Sequence, residues 1–332
     1  MTIQDKCDQL IENYNRILPG NHFEHSGLLA AGAAMYLANG LKVDPEKLRE
    51  CKRMIRKQKG LFSNFRGTAE FIVRCKMAMA DDPAAYLERL TSVYQGLRSF
   101  FSGEQVLLAA MVIADLSAEQ EGAFIVQKTK SIYQEMRKTH PWLTSQDDMP
   151  FAALMAISGK DCSAVYEEAE KVYENLKQSL RAPNDTRQTL SHILAIYPGF
   201  ADSKCEKICR INEELRKNKH APGRERYLSI LGTLAGSSLP AEELARMIGE
   251  ADDYLKSFKP FRGIFGVGTN VRRMIAVQMV EAVLNDGGRS TGPIDSVAVS
   301  SVISISIEVA IITLILMYAV IASTSASSGS HS

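Results

Sequence analysis

The chain has 332 residues and a mass of 36.6 kDa, which suffices for one large domain or two smaller ones. Apolar residues make up 45% and charged residues 23%, a globular composition that excludes an intrinsically disordered chain. Basic and acidic side chains nearly cancel, at 39 against 38, which excludes a broadly basic surface, so we expect no nucleic-acid partner.

The first residues and the cysteines both indicate a cytoplasmic protein. Residues 1–18 are polar with helical spacing and lack the apolar core of a secretory signal. A reduced thiol packs as a small apolar side chain, and most of the cysteines fall inside apolar helical stripes. The six are Cys7, Cys51, Cys75, Cys162, Cys205 and Cys209.

Two kinds of helix alternate along the chain. Short segments that are apolar nearly all round, as buried helices are, begin near Gly27, Thr68, Glu104, Met149, Thr189, Arg226 and Val271. Longer amphipathic segments begin near Pro45, Pro83, Glu121, Cys162, Asp202 and Pro240. This alternation predicts an all-α array of about six or seven stacked helical hairpins, an α-α superhelix or solenoid-like fold.

The junctions carry helix-capping residues. Ser102 with Gln105 three residues later fits a capping box. Thr144 or Ser145 fits an N-cap, with Asp147 and Asp148 near the positive end of the next helix dipole.

A longer period indicates a duplication. Sliding the sequence by 122 positions without a gap superposes three apolar helices and the segment after them, so that Ala30 falls on Ala152 and Val106 on Leu228. We interpret residues 1–285 as a helical-repeat domain with possible halves 20–148 and 149–285. The alternative is that any helical array of similar unit length gives partial matches.

The C-terminal region has a different composition. A linker, 286–296, precedes an apolar segment, 297–322, and a polar tail, 323–332. The apolar segment is long enough to cross a bilayer, but its one charge, Glu308, would cost roughly 2–3 kcal/mol near mid-membrane. Two predictions stay open: attachment to the cytoplasmic membrane, or a helix that packs on the domain or on another copy.

The loop "KTHPWLTSQDD" and the helix "TLSHILAI" contain the candidate polar cluster: His140, Asp147, Asp148 and His192. Imidazole and carboxylate groups are ligands for divalent metals, which makes a metal site one interpretation. The other is structural, with the aspartates capping a helix and His192 satisfying a buried carbonyl. No histidine pair has the i, i+4 spacing of an HExxH site. Similarly, Cys205 and Cys209 with His220 are one ligand short of a closed zinc site, and core packing of both thiols is the simpler interpretation.

A glycine-rich segment, "RGIFGVGTNVRR", precedes the last apolar helix. Backbone amides at a helix N-terminus together with arginines can bind an anion such as phosphate. The candidate anion site comprises Gly263, Gly266, Gly268, Arg262, Arg272 and Arg273. Because neither P-loop nor dinucleotide-binding spacing is present, a flexible turn is the competing interpretation.

Two segments resemble a known family. Residues 136–156, "MRKTHPWLTSQDDMPFAALMA", and residues 184–196, "NDTRQTLSHILAI", are similar to bacterial proteins of the family called domain of unknown function four-thousand-and-three. The resemblance spans residues 5–283. It implies a bacterial source and a helical fold, and it carries no implied activity or cofactor.

Two function hypotheses follow. The first is a non-catalytic scaffold for protein partners, because helical arrays present extended surfaces. A membrane tether through 297–322 is an open extension of this hypothesis. The second is a metal- or phosphate-dependent enzyme that uses the candidate polar cluster or the glycine-rich segment.

Overall fold

A computed structural model describes residues 1–24, 26–57, 68–101, 105–223, 226–262 and 266–287. All the secondary-structure elements assigned within these ranges are helices, which confirms the all-α prediction. None of the helices in these ranges is both long enough and apolar enough to span a bilayer. Ser102, residues 288–296 of the linker, the apolar segment 297–322 and the polar tail lie outside the described residues, so the predictions made for them stay predictions. The linker prediction was wrong at its first residue, because Asp286 ends the last helix and Gly287 is its C-cap.

Seven amphipathic helices form an outer layer. Their apolar residues recur every three or four positions, as Cys7, Leu10, Tyr14 and Ile17 do in the first helix, and these residues are buried. The outer helices are α1 (Ile3–Ile17), α3 (Pro45–Lys57), α5 (Pro83–Arg98), α7 (Gly122–Thr139), α9 (Cys162–Ser179), α11 (Ala201–Lys217) and α12 (Ala241–Lys256).

Seven further helices, most of them shorter, form an inner layer that is buried on nearly all sides. In one of them every residue from Gly27 to Leu37 is buried, which explains why no amphipathic pattern is visible there. The inner helices are α2 (Ser26–Ala38), α4 (Thr68–Met79), α6 (Gln105–Leu116), α8 (Met149–Ile157), α10 (Asn184–Ile196), the 3-10 helix Arg226–Leu234, and α13 (Thr269–Asp286).

Each outer helix pairs with the inner helix that follows it, which gives seven hairpins among the described residues. The hairpins close into a ring, because α1 packs on α12 and α13, and α2 packs on α13. The Tyr254 hydroxyl donates to Asp8 at 2.9 Å across this junction, and the Tyr14 and Phe261 rings lie 5.9 Å apart. The sequence predicted the stacking but not the closure.

The inner helices run parallel, so the ring has two different edges. We call the edge where they begin the amino edge and the edge where they end the carboxyl edge. At the amino edge, Gln188 near the start of α10 donates to Thr144 just before α8. At the carboxyl edge, the Tyr197 hydroxyl after α10 donates to the Thr233 carbonyl near the end of the 3-10 helix, at 3.1 Å.

Cations from the outer helices bind the carbonyls at the carboxyl edge. Lys47 of α3 donates to the Ala80 carbonyl just after α4 at 2.7 Å, and Lys204 of α11 donates to the Leu194 carbonyl in α10 at 2.9 Å. The last carbonyls of a helix lack partners within the helix and carry its negative dipole end. Three more such pairs are Arg89 with Ser117, Lys128 with Lys160, and Lys207 with Ser237.

Two inner helices differ from the sequence prediction. The prediction began α10 near Thr189, but the helix begins at Asn184, and its polar first residues include Thr186 and Gln188, which are buried against its neighbours. The segment from Arg226 is a 3-10 helix of nine residues. The continuous core extends across residues 148 and 149, and the duplication stays a prediction.

Glycine permits the close approach of two inner helices. A Cβ atom added at Gly32 of α2 would lie 2.9 Å from the buried Phe71 ring of α4. By contrast, a Cβ atom at Gly96 of α5 would meet only the Val126 methyl groups at an ordinary 3.6 Å.

We predict that Gly32→Ala lowers the free energy of unfolding by about 1–3 kcal/mol, because Phe71 has no space in which to move. The matched control, Gly96→Ala, is expected to raise it by about 0.5–1 kcal/mol, since alanine favours the helix. Urea denaturation of both variants measures the difference. Equal effects would contradict the close packing of α2 on α4.

Candidate functional site

His140 lies at the C-terminal end of α7 and contacts α9. Its Nε2 atom is 2.8 Å from Glu170 Oε2, and its ring centroid is 5.2 Å from that of Tyr173. The imidazole is about one-fifth exposed. Glu170, which the sequence analysis did not single out, is therefore the acidic partner of this histidine.

His192 lies in α10, and only 3% of it is exposed. Its ring centroid is 6.3 Å from that of Phe151 on α8, and its Nδ1 atom has no hydrogen-bond partner. Burial, together with the smaller effect of the nearby His140, lowers the pKa of His192 to about 3. His192 is therefore a neutral imidazole at neutral pH.

The loop before α8 is bonded to itself and to α10. The Asp148 carboxylate accepts from the Ser145 amide at 2.8 Å, and the Thr144 hydroxyl donates to the Met136 carbonyl at 3.0 Å. The structure thus brings the loop and α10 together, but the residues that join them are Gln188 and Thr144: the Gln188 Nε2 atom donates to Thr144 Oγ1 at 3.2 Å. The Asp147 side chain lies outside the described residues.

The described ranges contain no group of three or more histidine, cysteine, aspartate or glutamate side chains arranged to hold a metal ion. Cys205 and Cys209 are buried free thiols, with the Val172 carbonyl and the Ser179 hydroxyl as their neighbours at 3.7 and 3.6 Å. The metal-site hypothesis for the candidate polar cluster stays a prediction.

The candidate anion site contains arginines that already have partners. Arg272 donates from Nε to Asp252 Oδ1 at 2.6 Å and from Nη1 to the Phe261 carbonyl at 3.1 Å. Arg273 donates to Asp252 Oδ2 at 3.4 Å and to the Ala221 carbonyl at 2.8 Å. The two guanidinium groups hold the loops before the 3-10 helix and before α13.

The glycines of this segment have separate roles. A Cβ atom at Gly266 would lie 2.6 Å from the Arg262 carbonyl oxygen, so this position requires glycine. Gly268 is the N-cap of α13 and has open space around it, while Arg262 is exposed. Gly263 lies outside the described residues, and the anion site stays a prediction.

Asp252 is the centre of this ion-pair network. It is 2% exposed, and its Oδ2 atom is 2.8 Å from His220 Nδ1, which places His220 with Asp252 instead of with the two cysteines. Burial alone would raise the pKa of Asp252, but hydrogen bonds from Arg272 and His220 and the arginine charges bring it below its usual value.

A groove at the amino edge between the third and fourth hairpins combines aromatic and basic side chains. It has a volume of about 460 Å³ and is lined by Phe100, Phe101, Tyr133, Gln134, Arg137, Lys138, Gln146 and Met149. The Phe101 and Tyr133 rings meet edge to face at 5.1 Å, while Phe100 is 40% exposed. We call these residues the aromatic groove; none of them was a candidate in the sequence analysis.

The geometry defines the class of protein: an all-α ring of helical hairpins. The chain belongs to the family described as "Protein of unknown function (DUF4003)", whose profile matches residues 13–317. It is 24% identical over 210 residues to "Uncharacterized protein YeaA" of Bacillus subtilis (strain 168). That alignment covers 59% of this chain and 62% of the relative, so this chain spans less than two thirds of the relative's length. No solved structure matches.

We predict that His192 makes stability depend on pH. An unfolded histidine titrates near 6.5, whereas folded His192 stays neutral down to about 3, so the unfolded chain binds the extra proton between these values. The free energy of unfolding should therefore fall by about 1.4 kcal/mol per pH unit as the pH drops below about 6.

Chemical denaturation from pH 7 to 4 measures this contribution as the difference between the wild type and His192→Gln. His22→Gln is the matched control, because His22 is exposed. A wild-type slope that persists unchanged in His192→Gln would show that other groups cause it.

We also predict that Asp252→Ala costs about 3–5 kcal/mol at pH 7, because it leaves the buried Arg272 charge unpaired. The folded pKa of Asp252 is lowered, so this contribution is complete above the unfolded pKa of about 3.9 and disappears as the pH falls through the folded value. The control is Asp253→Ala, whose carboxylate is 68% exposed and 3.7 Å from His220 Nε2. An equal loss in the two variants would refute the network.

Proposed function

We propose that this protein is an interaction scaffold that binds an acidic segment of a protein partner in the aromatic groove. The observation that carries the proposal is the exposure of Phe100 within a groove of cationic side chains on the amino edge. Aromatic side chains supply large contact areas at interfaces, and they are enriched among the residues that dominate binding energy.

The charge of the groove specifies the chemistry of the partner. Lys130 places its Nζ atom 3.7 Å from the Phe100 ring centroid, and Arg137 lines the groove. Across the described ranges neither cation forms an ion pair with a carboxylate, whereas Lys138 is 3.5 Å from Glu135. A partner with an apolar side chain beside aspartate or glutamate complements these groups, and such complementarity fixes orientation and speeds association.

Other exposed aromatic residues lie on both edges of the ring. Trp142 is 99% exposed and follows α7 on the amino edge, as Phe100 follows α5. Phe200 is 80% exposed but follows α10, on the carboxyl edge. Trp142 therefore lies on the same edge as the proposed binding surface, and Phe200 provides a control of the same chemistry on the other side of the ring.

We further propose a cytoplasmic location, which the six free thiols support. Attachment to the cytoplasmic membrane through 297–322 stays a prediction. The metal- or phosphate-dependent enzyme stays the alternative function.

The test is a selection of random 12-residue peptides displayed on phage against the wild-type protein, followed by fluorescence-polarisation titration of the enriched peptides. We expect sequences with an aromatic or leucine residue next to acidic residues. Phe100→Ala and Arg137→Glu should each weaken binding by about tenfold or more, as for central interface residues. Added salt should also weaken binding.

Phe200→Ala is expected to bind as the wild type does. Peptides without acidic residues, or peptides that bind Phe100→Ala and Phe200→Ala equally, would overturn the proposal.

A further inference from the structure

Exposed charges are separated between the two edges of the ring. The outer helices end at the amino edge, and each of the seven has at least one basic residue in its last turn. The loops after these helices add the exposed side chains of Arg181, Lys219, Lys259 and Arg262. Among the described residues of these turns and loops, Asp253 is the one exposed acidic residue, and the other acids are partly or fully buried. The amino edge is therefore basic.

The carboxyl edge has the opposite charge. Asp44, Asp82, Asp161 and Asp202 are exposed at the starts of four outer helices. In the described loops and first turns of this edge, Lys42 is the one exposed basic side chain. The net charge of +1 hides this separation, because the charges of the two edges oppose each other.

Helix dipoles explain only part of this pattern. A dipole stabilises a cation in the last turn of a helix, but the effect falls off within that turn, so it does not account for the four cations in the loops. Within the helices, Lys177 pairs with Glu174 at 2.9 Å, whereas the exposed Arg56 and Lys256 form no ion pair with any described residue. Cations without acidic partners thus remain at the amino edge.

Fully exposed aromatic side chains lie among these cations. Phe23 is in the loop after α1, and Trp142 is in the loop after α7. Neither side chain has a covering from the described residues, although removing such large apolar groups from water is favourable. Lysine and arginine beside exposed phenylalanine and tryptophan are typical of surfaces that bind the headgroup region of a membrane.

We propose that the amino edge docks on the surface of an anionic lipid bilayer. Its cations attract the lipid headgroups, and Phe23 and Trp142 enter the boundary between the headgroups and the acyl chains. The acidic carboxyl edge is repelled by the same surface, so the ring docks in one orientation. This inference does not rest on the proposed peptide site, since neither Phe23 nor Trp142 lines the aromatic groove.

The arrangement of the aromatic residues favours a membrane over a single-stranded nucleic acid. A nucleic acid strand is held in a groove where successive bases stack on neighbouring aromatic side chains. Phe23 and Trp142 instead belong to the first and the fourth hairpins, and each is exposed in a separate loop. A bilayer surface contacts separate loops of one edge at the same time.

Two kinds of vesicle test this proposal with the full chain. One kind is phosphatidylcholine alone, and the other is equal parts of phosphatidylcholine and phosphatidylglycerol. Cosedimentation measures binding. Trp142 is the one tryptophan of the chain, so the tryptophan emission reports directly on whether this side chain leaves water.

We expect binding to the anionic vesicles, a shift of the tryptophan emission to shorter wavelength, and weaker binding in added salt. Lys256→Glu should weaken binding by about tenfold, because it replaces a cation near the surface by an anion. The matched control is Lys171→Glu, which makes the same change at an exposed position in the middle of α9 and should bind nearly as the wild type does.

Phe23→Ala should weaken binding to the anionic vesicles by about fivefold or more, because less apolar surface enters the bilayer. Phe200→Ala removes an exposed phenylalanine from the carboxyl edge and should have no effect. All four substituted side chains are exposed, so circular dichroism should show the wild-type fold in each variant.

Several results would overturn the proposal. Equal binding to both kinds of vesicle with unchanged tryptophan emission would indicate that another segment, such as 297–322, inserts. Binding of poly-uridylate but not of anionic vesicles would indicate a nucleic-acid partner. Equal losses in Lys256→Glu and Lys171→Glu would show that the amino edge is not the docking surface, as would the absence of vesicle binding. None of these results decides whether peptides bind in the aromatic groove, which is tested through Phe100 and Arg137.

Discussion

The whole architecture depends on satisfying the carbonyl groups at the ends of helices that are buried on nearly all sides. An inner helix such as α6 has no solvent along its length, so its last carbonyls need partners supplied by the protein. The outer helices supply them as Arg89 and Lys207 do, with a cation about two turns after the helix begins. The same side chains complement the helix dipoles, so in these hairpins a single cation serves both needs.

Because of this arrangement, the loops at the two edges of the ring differ in how strongly they are constrained. At the carboxyl edge the loops are short and are bonded by cations. At the amino edge the loops are longer and carry exposed aromatic residues such as Trp142. Loops of this kind tolerate change and carry binding surfaces, whereas the packed layer beneath them fixes their position. The aromatic groove therefore lies at the edge where the loops are less constrained.

The sequence predicted the helices well because burial on one face leaves apolar residues at helical spacing, and burial on all faces leaves a continuous apolar run. α3 and α5 begin at the predicted Pro45 and Pro83. The prediction from sequence failed where polar residues are buried. It left out the first turn of α10 and the polar stripe of Gln278, Glu281 and Asn285 in α13. The spacing of that stripe within an apolar helix is visible in the sequence. Ring closure and the Arg272–Asp252 pair depend on contacts between distant segments, which no local pattern encodes.

Closure across the Tyr254–Asp8 contact also restricts how such a protein can evolve. These two residues are 246 positions apart in the chain. An open array of repeats gains or loses a unit at little cost, because each repeat contacts only its neighbours. In a closed ring, one more or one fewer hairpin would change the curvature and separate the two ends, so the number of repeats is fixed by geometry. Variation in length is then confined to the loops and to the segments outside the ring.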